Sequence, residues 1–69
     1  MWKVVYVASS PRLANRLQKI LMHHGMLITL RAVKSTEDGP MELLAPNSEA
    51  EDALEIINHS LLRWGRVTR

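Results

Sequence analysis

A run of strand chemistry, cut off by a Ser-Ser-Pro helix start and resumed only after a glycine, limits this chain more than any other feature. Trp2 to Ala8 is dominated by β-branched and aromatic residues, and nothing in it breaks a strand. Ser10 can accept a hydrogen bond from an orphan N–H of a first helical turn. Pro11 suits the next position because it has no N–H to satisfy. Helical spacing follows, with Leu13, Leu17, Ile20, Leu21 and His24 on one side, and Gly25 is the expected left-handed stop. From Met26 to Val33 the period returns to two. Met26, Ile28, Leu30 and Ala32 make one face; Leu27, Thr29, Arg31 and Val33 make the other. A strand–helix–strand unit crosses over right-handedly, so these two strands are expected to run parallel.

Ser35 to Pro40 is a turn-rich connection of hairpin length, and Met41 to Ala45 a short third strand, expected antiparallel to the second. Pro46 closes it. Ser48-Glu49-Ala50-Glu51 then has the form of a capping box, in which the Ser48 hydroxyl and the Glu51 carboxylate satisfy each other's backbone N–H groups. Glu49, Glu51 and Asp52 suit the positive end of a helix dipole, and Arg63 its negative end. The expected buried stripe is Ala50, Ala53, Leu54, Ile57, Leu61 and Trp64, with Gly65 as the stop. Residues 66–69 form a tail or a rudimentary fourth strand. The whole is an α+β βαββα domain over residues 1–65: a truncated ferredoxin-like unit with strand order 1-3-2 and both helices on one face of the sheet.

Size and composition narrow the function. A chain of 69 residues makes one small domain and buries only about 60% of its unfolded surface, so a deep, walled active site is not expected. Without cysteine there are no disulfides, zinc–thiolate sites or thiol catalysis, and a reducing cytoplasm is the expected setting. The longest stretch free of Asp, Glu, Lys and Arg runs only from Ile20 to Leu30, against the roughly 20 apolar residues that span a bilayer, so no membrane partner is expected.

A three-stranded sheet roofed on one side needs a polar second face, and this one lacks it. Strict alternation turns Val5 and Val7 toward the helices and leaves Trp2, Val4, Tyr6, Leu27, Val33 and Leu44 on the open face; only Lys3, Thr29, Arg31 and Glu42 dilute the two faces. Exposed apolar surface on that scale marks an interface. The expectation is a homodimer through this face (Trp2, Val4, Tyr6, Leu27, Thr29, Leu44) or through the edge of the first strand. The alternative is a monomer whose C-terminal tail covers the patch.

Charge is segregated along the chain. Residues 1–36 carry Lys3, Arg12, Arg16, Lys19, Arg31 and Lys34 and no acid. All seven acids fall in residues 37–60, and Arg63, Arg66 and Arg69 bring the net charge to +2. Arg12, Arg16, Lys19 and His23 recur at helical spacing opposite the apolar stripe. Such a row can meet nucleic acid, a nucleotide or an acidic protein, or serve simply as a solvated face; it lacks the interleaved aromatics that stack bases. Arg31 and the loop acids Glu37 and Asp38 complete the candidate ligand- or partner-binding set. His23 and His24 diverge on their helix, and Glu55/His59 is an ordinary helical pair, so no metal or other cofactor is expected. No carboxylate has an evident convergent partner, and no phosphate-loop, dinucleotide, HExxH or GxSxG motif is present, so the chain reads as a binder and not an enzyme.

Across residues 2–62 the chain resembles the small prokaryotic signal-transducing proteins, single βαββα domains related in fold to the PII-like signalling proteins. The resemblance lies in Trp2-Lys3-Val4-Val5-Tyr6, Ala14, Leu17, Ile20-Leu21 and Gly25. It is most specific in Met41-Glu42-Leu43-Leu44-Ala45-Pro46, followed by Glu49, Ala53, Leu54 and Ile56-Ile57. It implies a bacterial regulatory module that senses a small anionic molecule or docks onto a protein. The loop from Ser35 to Pro40 is far shorter than the one PII-like proteins use, and no glycine-rich phosphate segment is present, so nucleotide binding is not carried over.

Overall fold

The computed structural model describes residues 1–34 and 38–67, the last four as backbone alone. In chain order the elements are β1 (Trp2–Ala8), α1 (Pro11–His23), β2 (Thr29–Ala32), β3 (Met41–Pro46), a short 3-10 turn (Asn47–Glu49) and α2 (Ala50–Val67). The sheet has the order β1-β3-β2, with β3 antiparallel to both neighbours, so β1 and β2 run parallel as the crossover requires. Both helices pack on the sheet and on each other. This is the expected βαββα arrangement, and the described residues contain no fourth strand.

The ends of α1 follow from their residues. Ser10 accepts from the Leu13 N–H at 3.3 Å, with Pro11 in the first turn. At the other end Gly25 adopts φ 78°, which lets the Gly25 N–H reach the Met22 carbonyl at 2.9 Å and the Met26 N–H reach the Leu21 carbonyl at 3.1 Å. These two bonds make a Schellman motif. Leu21 is buried and Met26 packs against the same cluster, which adds the apolar contact that accompanies that motif. His24 serves as the C-cap through its backbone.

β2 is shorter than its strand-like sequence. It pairs with β3 only from Thr29, opposite Leu44, to Ala32, opposite Met41. The preceding residues spend their backbone polar groups on α1: the Met26 N–H closes the helix, and the Ile28 carbonyl accepts from Gln18 Nε2 at 2.9 Å. Ile28 and Leu30 still point into the core as expected, whereas Ala32 is exposed.

The start of α2 departs from the capping box. The chain enters a 3-10 turn at Asn47, whose N–H donates to the Met1 carbonyl at 2.8 Å, and no side-chain bond caps this turn. Ser48 is therefore inside the turn and exposed. The helix continues through Gly65 to Val67, two residues past the expected stop, while residues 68–69 lie outside the described part. Ala50, Ala53 and Ile57 form its buried stripe, with Leu61 packed alongside. Leu54 is instead 42% exposed, and Ile56 packs against the core in its place. The Trp64 side chain lies outside the described residues.

The core is one cluster between sheet and helices: Ala8, Ala14, Leu17, Leu21, Ile28, Leu43, Ala45, Ala53 and Ile57. Leu17, Leu21, Leu43 and Ile57 are its largest fully buried members. No described helix is long and apolar enough to cross a membrane.

Candidate functional site

The register of β1 decides what the open sheet face displays. Val4 stands opposite Leu44 and Tyr6 opposite Leu43, so Val5 is an extra residue without a partner on β3. Such a bulge reverses the alternation beyond it. Val5 and Tyr6 both pack against the core, and Val7, opposite Glu42, turns outward. Two expectations are corrected by this one irregularity: Tyr6 leaves the open face, and Val7 joins it. A period-two pattern cannot reveal a bulge when every residue around it is apolar.

Of the other residues expected there, the ladder aligns Trp2, Val4, Thr29 and Leu44, while Leu27 precedes β2 and lies outside it. Residues opposed across a ladder share a face, which places Trp2, Val4, Val7, Leu44, Glu42, Thr29 and Arg31 on the side away from the helices. Leu44 sits at its centre between Val4 and Thr29 and is only 7% exposed, yet it lies outside the core cluster. On the same face Trp2 is 45%, Val4 38% and Val7 50% exposed, while Leu27 and Val33, which flank β2 outside the ladder, are 64% and 46% exposed. Trp2, Thr29, Leu30, Arg31 and Leu44 line a shallow depression of about 380 Å³.

Arg31 and Glu42 face each other across β2 and β3, with the Arg31 Nε 2.8 Å and a terminal guanidinium nitrogen 2.7 Å from Glu42 Oε1. The guanidinium is thus matched within the face instead of being offered as an unopposed positive charge. Arg31 therefore lies on the sheet face, apart from the basic residues Arg12, Arg16 and Lys19 of α1. An ion pair this exposed contributes under about 1 kcal/mol.

Arg12, Arg16, Lys19 and His23 are all exposed along α1. Lys19 and His23, with Met22, border a shallow depression of about 320 Å³. Asp38 is exposed in the connection between β2 and β3, and Glu37 lies outside the described residues. At the closed end of that connection the Val33 N–H donates to the Pro40 carbonyl at 3.1 Å.

One convergence was not evident from the sequence. His24, at the end of α1, and Glu55, His59, Ser60 and Arg63 of α2 line a cleft of about 690 Å³ between the helices, together with Ile20 and Ile56. The signal was present in two halves: Ile20 and His24 are one turn apart, and Glu55, His59 and Arg63 recur every four residues. Their meeting depends on how the helices pack. Among the described residues no three His, Cys, Asp or Glu side chains are grouped to hold a metal ion. No family model, curated protein or solved structure matches this chain.

Proposed function

We propose that this domain is a regulatory interaction module of the small signal-transducing kind, acting by contact, and that the open sheet face is where it meets a second copy of itself. The observation carrying this reading is the exposed Trp2, Val4 and Val7 beside the central Leu44 on the face away from the helices. Among the described residues no element covers it. A second copy is favoured by charge: with Arg31 and Glu42 paired inside the face, apposing two copies about a two-fold axis sets apolar surface on apolar surface and leaves neither of these charges unmatched. Size sets the strength. Three strands of up to seven residues give a footprint on the order of 300 Å², well below the ~800 Å² per partner of a standard interface, so association is weak and reversible. Weak self-association suits a module that exchanges partners on a regulatory signal. Light scattering across a concentration series tests the reading: apparent mass rising toward twice the monomer supports it, and a constant monomer mass contradicts it.

A second reading rests on the exposed row of Arg12, Arg16, Lys19 and His23 along α1. It makes the domain a binder of phosphate-rich ligands, nucleic acid included. Its mark is affinity for oligonucleotides that falls steeply with added salt; no binding at low salt removes it.

A further inference from the structure

We infer that the cleft between α1 and α2 is a binding site for a small molecule that carries an oxyanion on a compact apolar body. Its volume of about 690 Å³ falls in the range of small-ligand sites, and its lining sets two apolar side chains beside five polar or charged ones. Ile20 of α1 and Ile56 of α2, both half-buried, supply the floor. Polar groups converge from both helices: the His24 imidazole at the end of α1, and the His59 imidazole, Ser60 hydroxyl and Arg63 guanidinium of α2. Each can donate a hydrogen bond, and the guanidinium offers the planar fork that matches a carboxylate or phosphate edge. Glu55, one turn before His59, is the one acid among the described lining residues. It disfavours a second anionic group at that end of the cleft and orients a singly anionic ligand toward Arg63. A cation is not the better occupant, because the donor set contains no three-residue metal cluster and Arg63 repels positive charge. This site lies on the helical layer, apart from the sheet face, and stands or falls independently of self-association.

The oxyanion can be a phosphate or a carboxylate, and the test separates them. Phenyl phosphate, phenylacetate and the neutral 2-phenylethanol are titrated separately into ¹⁵N-labelled protein, and the amide resonances are followed. The inference expects saturable shifts confined to residues 20–24 and 55–63 with at least one anion and not with the alcohol; the tighter anion identifies the ligand class. Arg63→Gln is expected to weaken binding about tenfold, the worth of one charge-assisted hydrogen bond. Lys34→Gln, which removes one positive charge from the exposed end of the hairpin, is expected to leave it unchanged. His59→Ala repeats the test should the first variant not fold. Equal shifts with the alcohol, no saturable shift with either anion, shifts centred elsewhere, or equal weakening by Lys34→Gln would each overturn the inference.

Discussion

Val5 and Tyr6 are neighbours on β1, yet both pack toward the same core. In a regular strand they would point to opposite faces. The bulge between Val4 and Tyr6 makes the arrangement possible, and it determines which side chains the domain presents to a partner: Val7 outward, Tyr6 inward.

That relationship ranks two substitutions. Tyr6→Ala is expected to cost about 2–3 kcal/mol, somewhat less than for a fully buried aromatic because Tyr6 is half-buried. Val7→Ala is expected to stay within about 0.5 kcal/mol in dilute solution. Urea unfolding at low protein concentration measures both. The reverse ranking would return Tyr6 to the open face.

Gly25 isolates a backbone effect. A Cβ built there meets nothing within 4 Å, so Gly25→Ala strains only the positive φ of the Schellman motif. The expected cost is about 1–2 kcal/mol, seen as a fall in Tm of roughly 4–8 °C per kcal/mol for a domain of this size. Gly25→Asn is expected to lose less, because Asn tolerates that conformation. An unchanged Tm for the alanine variant would mean that the helix does not end in this way.

On α2 the contrast is between Leu54 and Ile57. Ile57 is fully buried, and Ile57→Ala is expected to cost about 2–5 kcal/mol, enough to populate the unfolded state of so small a domain. Leu54→Gln is expected to be close to neutral. Circular-dichroism melts decide it, and a large loss at Leu54 would rotate the helix from its described orientation.

Arg31 and Glu42 invite a double-mutant cycle. Alanine at each position and at both is expected to give a coupling of about 0.2–1 kcal/mol, reduced by salt. A coupling indistinguishable from zero at low ionic strength would show that the ion pair does not persist in solution.

Much of the fold was legible because local signals and the global arrangement agreed. Ser10-Pro11 and Gly25 bound α1 as their chemistry requires, and hairpin length together with crossover handedness sufficed for the order β1-β3-β2. The misses lie in the course of the backbone, which side-chain patterns do not record. Ser48 lost its capping role because a 3-10 turn over Asn47–Glu49 takes it inside the turn; β2 was shortened because Met26 and Ile28 serve α1; Tyr6 changed face through an unpaired Val5. For the candidate site, Trp2, Val4, Thr29 and Leu44 could be grouped from alternation alone. The cleft lined by His24, His59 and Arg63 could not, since helix packing, and not periodicity, brings them together.

Sedimentation equilibrium over a wide concentration range tests the central claim most directly, with Val7→Asp and Val4→Asp run beside the unaltered protein. A reversible monomer–dimer equilibrium is expected, and either charge on the face should abolish it while leaving the circular-dichroism spectrum unchanged. A strictly monomeric protein at the highest attainable concentration, or a dimer indifferent to both substitutions, would contradict the account.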